Sequence, residues 1–365
     1  LDRVRCARPL DVANHFTPLV SVVVATRNRP TQLRRCLASL MATSYPALEV
    51  IVVDSAPTDD ATLAVVNSVA DARLHYMVES RPGSSRARNR GIAAAAGELI
   101  AFTDDDVVVD PLWIAALVQR FAAEPETSCI TGLVLPARLD TPAQRWFEEY
   151  GGFNKGFMPR SFDLDQHRGT DTLYPYAPGR FGSGNNVAFR TDVLRQLGGY
   201  GTNLGPGTPA RSGEDLDLFL SVVTGGLRLG YEPAAVIYHD HRETHEELVS
   251  QLRNYGVGLT AMLTRQAIRS PRHLLEIGRR VPRGAFAMVD PKSWKNAKRS
   301  SAFPADLARA EMLGMLAGPF AYARGTVTPG RGAPGDASPR GGLRSRAAAV
   351  TRGHLSVPLF RNAYA

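Results

Sequence analysis

"LVSVVVATRNRPTQLRRCLASLMATSYPALEVIVVD", residues 19–54, sets two continuous β-branched runs on either side of a segment whose apolar residues fall at helical spacing. A strand with one wet face alternates polar and apolar residues, whereas Val22-Val23-Val24 and Val50 through Val53 are apolar on both faces and so read as buried on both. Between them Leu33, Cys36, Leu37, Leu40 and Met41 form one apolar stripe. Strand, helix and strand joined this way pair in parallel through a right-handed crossover. The beat repeats with a helix-like 59–70, a strand at 73–79, an Ala-rich helix at 84–96, a strand at 98–103 and a helix at 111–121 opened by Pro111. The expected fold class is α/β, a Rossmann-like mostly parallel sheet flanked by helices. Ligands of such sheets sit at the carboxyl ends of the strands.

Asp54 ends one of these strands, and Asp104, Asp105 and Asp106 end another. Three adjacent carboxylates repel one another unless a positive group lies among them. Clustered Asp oxygens suit a hard divalent cation, Mg²⁺ or Mn²⁺, which takes one or two protein carboxylates and leaves its other positions to substrate phosphates. The competing reading is an acidic turn capping the next helix.

Farther along, 136–180 lacks any period and reads as a long functional loop. "FGSGNNVAFR" (181–190) resumes order, 213–226 reads as a helix, "AAVIYH" (234–239) as a strand and 243–264 as a helix whose Thr244 and Glu247 suit a capping box. The formal net charge of +8 is unevenly placed: residues 1–264 carry 25 Lys and Arg against 30 Asp and Glu, and 265–365 carry 18 against 5. Residues 265–299 interleave ten of those cations with Leu274, Leu275, Ile277, Val281, Phe286 and Trp294, a composition suited to an anionic membrane surface or to an ordinary solvated basic face. The expected organisation is an extension at 1–18, a domain at 19–264 divided into halves 19–135 and 136–264, a basic amphipathic helical segment at 265–323 and a disordered tail at 324–365. An acidic body without a recognition motif argues against nucleic acid. The cysteines, Cys6, Cys36 and Cys129, are scattered with no CxxC pair, so a disulfide framework or cysteine metal site is not indicated. Residues 1–18 lack the basic, apolar, small-residue order of a signal peptide. A cytoplasmic protein, peripheral at the inner face of the cell membrane if the basic segment binds there, is expected.

Five blocks, "VSVVVATRNRP", "LEVIVVDSAPTDDAT", "RPGSSRARNRGIAAAAGELIAFTDDDVVVDPLWI", "GSGNNVAFR" with "LGGYG", and "GEDLDLFLSVVTGG", stand in order and spacing similar to family-2 glycosyltransferases of the GT-A fold, over roughly residues 19–260. The resemblance implies a nucleoside-diphosphate sugar donor (UDP, dTDP or GDP), a divalent cation on its diphosphate, and inverting transfer to the hydroxyl of a glycan, lipid-linked or small-molecule acceptor. Asp104 and Asp106 match the DxD motif, Asp106 as the direct ligand and Asp104 nearer the ribose or a metal-bound water, with Asp105 between them as support. Thr26, Arg27 and Asn28 match the nucleotide-binding turn, Asp54 the acid that reads the base, and Gly83 and Arg88 fall in the block beside the donor phosphates. Ala25 and Arg27 replace a usual Pro and aromatic residue, and Ser55 stands where many members have a second Asp, so the base is left open. Asp215 matches the second residue of the ED motif and is the general base implied, with Glu214 orienting the acceptor and Asp217 capping the helix. Gly184, Asn185 and Asn186 are candidates to approach the sugar. In "YHDHRETH" (238–245), His239 is the candidate to complete the metal shell; the bland alternative is a polar loop.

A haloacid-dehalogenase-like phosphatase would use Asp104 as nucleophile and Asp106 as acid, but that motif belongs on a first strand, and here three strand-helix units precede it. A histidine-metal hydrolase built on "HDHRETH" and a dinucleotide site at "GVGLTA" (256–261) are weaker. An inactive sugar-nucleotide-binding scaffold would not need Asp104, Asp106 and Asp215 together.

Overall fold

The computed structural model of the chain describes residues 16–293 and 295–327. β1 (Val20–Thr26), α1 (Pro30–Met41), β2 (Leu48–Ser55), α2 (Ala61–Asn67), β3 (Leu74–Glu79), α3 (Ser84–Ala94) and β4 (Leu99–Asp104) follow the alternation read from the sequence. After them come the short β5 (Val107–Val109), α4 (Trp113–Ala123) and β6 (Thr127–Pro136). Pro111 precedes α4 by two residues rather than opening its first turn. The segment expected to be irregular contains α5 (Pro142–Tyr150), closed at its start by a Thr141–Gln144 capping box, and β7 (Arg160–Phe162). β8 (Val187–Arg190), α6 (Thr191–Gln196), α7 (Glu214–Thr224) and β9 (Arg228–His239) complete the sheet layer. α8 (His245–Arg269) begins at the Thr244–Glu247 capping box and runs past the boundary expected at 264. α9 (Pro271–Val289) and α10 (Ala305–Val327) follow; Trp294, residues 1–15 and the expected tail beyond 327 lie outside the described residues.

Among the described residues the strands form one sheet ordered β3-β2-β1-β4-β8-β6-β9-β5, with β7 also on β9. The β3-β2-β1-β4 half is wholly parallel, as strand-helix-strand crossovers require. β8 enters antiparallel between β4 and β6, which makes the complete sheet mixed. Val22, Val23 and Val24 are fully buried, with Leu33, Leu37 and Leu40 of α1 covering one face and Phe102, Phe189 and Phe219 in the layer against the other. Each such side chain contributes about 1.5–3 kcal/mol of transfer free energy. Cys36 and Cys129 are buried free thiols within these layers.

Candidate active site

The strand register assembles the site. β1 places Ala25 opposite Asp104 and Thr26 opposite Asp54, so the sequence-selected acids share one carboxyl edge. β5 turns back from Asp106 and sets Val107 opposite His239 at the end of β9. This edge opens into a cleft of about 1400 Å³ that Asp104, Asp105, Asp106, Glu214, Asp215 and His239 all line.

The positive groups among the aspartates are arginines. Buried Asp105 accepts from the Thr26 hydroxyl at 2.7 Å and from Arg29 at 3.0 Å, and the same Arg29 nitrogen reaches Asp106 Oδ2 at 3.2 Å. Burial, and next the Asp106 charge, push the Asp105 carboxyl up to about 6 against the pull of Arg29 and Thr26. Asp104 turns the other way and accepts from Arg88 Nη2 at 2.8 Å, while Arg88 Nη1 donates to Glu214 at 2.8 Å. Arg88, only 7% exposed, therefore ties the end of β4 to the start of α7 across a separation of more than a hundred residues. Its fork is committed to carboxylates, a fact the sequence did not disclose.

Asp215 is held by two backbone donors, Gly184 N–H at 2.9 Å and its neighbour Leu216 N–H at 2.8 Å. A Cβ on Gly184 would stand 2.6 Å from that of Asp215, so this glycine is small to admit the carboxylate. Burial pushes Glu214 and Asp215 above the usual carboxylate range, with Arg88 opposing. Asn185, 4% exposed, lines the cleft, and its side-chain oxygen has no partner among the described residues. Asn186 is turned inward: its amide donates to the Leu133 and Ala235 carbonyls and its oxygen accepts from the Trp113 indole.

Thr26 and Arg27 of the nucleotide turn line the cleft, as does Gly83. Asn28 closes its turn in the left-handed region (φ 54°), where its side chain accepts from Thr58 N–H. Asp54 is fully buried beside Tyr76 (3.1 Å), its pKa raised by burial, and adjacent Ser55 lines the cleft. Asp217 is bound by Gln266 and Arg265 of α8 and serves helix packing.

A chain of contacts missed at the sequence level runs behind His239. Glu148 Oε1 lies 2.9 Å from His241 Nε2, and His241 Nδ1 lies 2.9 Å from His239 Nδ1. A carboxylate only accepts, so it fixes the His241 proton on Nε2; His241 Nδ1 then accepts from His239 Nδ1–H. Burial lowers the His239 pKa and keeps the ring neutral, leaving its Nε2 as a lone pair 3.5 Å from Asp106 Oδ1. Two lone-pair donors facing one another in a buried pocket suit a shared cation. Among the described residues no three Asp, Glu, His or Cys side chains form a metal cage, but a phosphate-carrying cation needs only one or two protein ligands. Asp106 and His239 fit that requirement.

Residues 21–198 match the family model described as "Glycosyl transferase family 2". That segment, just under half of the chain, is similar to family-2 glycosyltransferases. A pre-mycofactocin glycosyltransferase of Mycobacterium tuberculosis is 28% identical over 257 residues, covering 69% of this chain and 48% of that protein. A glucosyl-dolichyl phosphate glucuronosyltransferase of Haloferax volcanii is 30% identical over 194 residues, 51% of this chain and 57% of that one. The chain thus spans about half the length of these curated relatives. In fold it is similar to a mannosyltransferase from Pyrobaculum calidifontis, solved in complex with GDP-Man and Mn²⁺, with a TM-score of 0.50, 20% identity, and coverage of 89% of this chain and 78% of that one. The glycosyltransferase domain has the GT-A architecture, and the match ends at residue 198, before the Glu214–Asp215 pair.

Proposed function

We propose that the protein is a metal-dependent inverting glycosyltransferase that moves a sugar from a UDP-, dTDP- or GDP-sugar to an acceptor hydroxyl. The observation that carries this reading is the Arg88 bridge, which holds Asp104 of the strand-end triplet and Glu214 of the ED pair on the wall of one cleft. Asp106 and His239 would hold a Mn²⁺ or Mg²⁺ ion, which when bound offsets the negative charge growing on the departing nucleoside diphosphate. Thr26, Arg27 and Gly83 border the nucleotide, and Asn185 offers its unpartnered oxygen to a sugar hydroxyl. Asp215 takes the acceptor proton as the acceptor oxygen attacks the anomeric carbon. Its raised pKa makes it a stronger base than a free carboxylate, and the Gly184 and Leu216 N–H groups fix its direction. Arg88 and Glu214 hold the two halves of the site in register. A phosphatase using Asp104 as nucleophile fits less well, since that carboxylate is engaged by Arg88.

Asp215→Asn tests the assignment. The variant should bind nucleoside diphosphate with Mn²⁺ as the native chain does, yet lose roughly 10²-fold or more in turnover. Asp215 must be ionised to act, so native activity should fall as the pH drops through its raised pKa, above the ordinary Asp value of about 3.9, and the variant's residual rate should lose that limb. Weakened nucleotide binding with unchanged turnover would refute the role.

A further inference from the structure

Part of the cleft wall is made by the loop 151–159, the start of β7 and the segment joining α9 to α10. It is cationic. Lys155, Arg160, Lys295 and Lys298 all line the cleft there. Lys295 is neutralised by Glu311 at 2.9 Å, over the Tyr150 ring. The others are not matched in that way. Lys155 Nζ donates only to the Gly152 carbonyl, at 3.4 Å, and Arg160 and Lys298 have no ion-pair partner among the described residues. Burial first, then repulsion from Lys295, Lys298 and Arg180, push Lys155 down to about 8, with Glu148 as the opposing acid. The loop itself is fixed: the Tyr231 hydroxyl of β9 donates to the Gly156 carbonyl at 2.7 Å. Burying the Lys155 ammonium on the same wall as the exposed Arg160 and Lys298 raises the energy of the protein alone, and the wall therefore favours a compact anion. Two ammonium groups and a guanidinium fork supply charge-assisted donors of the kind a phosphate accepts.

On the proposed function the donor's phosphates take the strand-end side of the cleft, which leaves this wall to the second substrate. We propose that Lys155, Arg160 and Lys298 form a phosphate-binding acceptor subsite, and that the acceptor carries a phosphate group. The inference rests on the glycosyltransferase reading and narrows its acceptor. The phosphate can belong to a lipid phosphate, whose own oxygen would then accept the sugar in place of a hydroxyl, or to a soluble sugar phosphate, which keeps a hydroxyl for the transfer; both present the same dianionic head.

The test uses the full chain with Mn²⁺ and measures binding of farnesyl phosphate, farnesol, glucose 1-phosphate and, for the donor side, UDP and GDP. Lys155→Ala combined with Lys298→Ala should weaken binding of the phosphorylated probe roughly tenfold or more and leave the nucleoside diphosphate within about twofold. Retained nucleotide binding also certifies that the variant is folded. Arg160→Gln, at an exposed position, should produce a smaller loss in the same direction. Preference for farnesyl phosphate assigns the phosphate to a lipid, and preference for glucose 1-phosphate to a soluble acceptor. The proposal is overturned if neither phosphate binds a chain that binds UDP or GDP, if farnesol binding falls equally, or if the variants lose the nucleoside diphosphate instead. Phosphate binding that survives without any nucleotide binding would sink the glycosyltransferase reading and leave the subsite standing.

Discussion

At the scale of single residues the site is a set of carboxylates, each given a different environment. Asp105 is clamped by Thr26 and Arg29, Asp104 by Arg88, and Asp106 faces His239. The Glu148–His241 pair matters because it decides which nitrogen of His239 carries the proton. Outer partners of this kind typically affect metal affinity by about 10–100-fold. On the proposed function, Glu148→Gln should therefore weaken Mn²⁺ binding about tenfold in the presence of UDP or GDP, read from the free-Mn²⁺ paramagnetic resonance signal, and Asp106→Ala should abolish it. Unchanged Mn²⁺ affinity in Glu148→Gln would dismiss the tautomer argument. None of this pairing is legible locally: Glu148 and His241 are 93 residues apart, and although His241 stands in the quoted histidine stretch, nothing around Glu148 marks it as the partner. Arg29 was equally hidden, since beside Pro30 it reads as the start of a helix.

Secondary elements divide by how much of their cause is local. β1 to β4 and α1 to α3 were legible because continuous β-branched runs and a single apolar stripe each admit one arrangement. Thr244 and Glu247 announce α8 through a capping box that closes within four residues. α5 escaped because it is nine residues long with Pro142 and aromatics, and it holds its place through Ala143 and Phe147 packed against Leu248 and Leu252 of α8. The three-residue strands β5 and β7 exist only because β9 is there to pair with them. α8 and α10 are joined by close backbone approach: a Cβ at Gly314 would overlap the Arg253 carbonyl, and the Thr260 hydroxyl of α8 donates to the Met315 carbonyl of α10 at 2.7 Å. Gly314→Ala should cost about 1–3 kcal/mol, since neither backbone can yield without parting the helices. A lowered Tm, with faster proteolysis in the 290–304 connection, is the expected outcome; an unaltered Tm would mean that this approach is looser than the geometry requires.

On the scale of the whole molecule the charge division acquires a direction. Residues 1–264 carry net −5, whereas 265–365 carry net +13. No residue of α9 is buried, and Leu274, Leu275, Val281 and Phe286 stand exposed on it among Arg272, Arg279 and Arg283. α10 adds Leu313, Leu316 and Phe320, spaced along the side turned away from its α8 contacts. No helix among the described residues is long and apolar enough to cross a membrane, so these side chains suit contact from one side. An α9 that lay on an anionic membrane would put its apolar residues into the interface, and each nearby Lys or Arg would add about 1 kcal/mol while the acidic body is repelled. The full chain should then float with phosphatidylglycerol vesicles at low salt, less with phosphatidylcholine vesicles, and less again as salt screens the attraction. Leu275→Ser with Phe286→Ser alters only exposed positions and should reduce flotation without lowering Tm or nucleoside-diphosphate binding. Equal flotation of native and variant chains would rule out α9 as the contact, and equal partition onto both vesicle types would rule out the charge asymmetry as its cause.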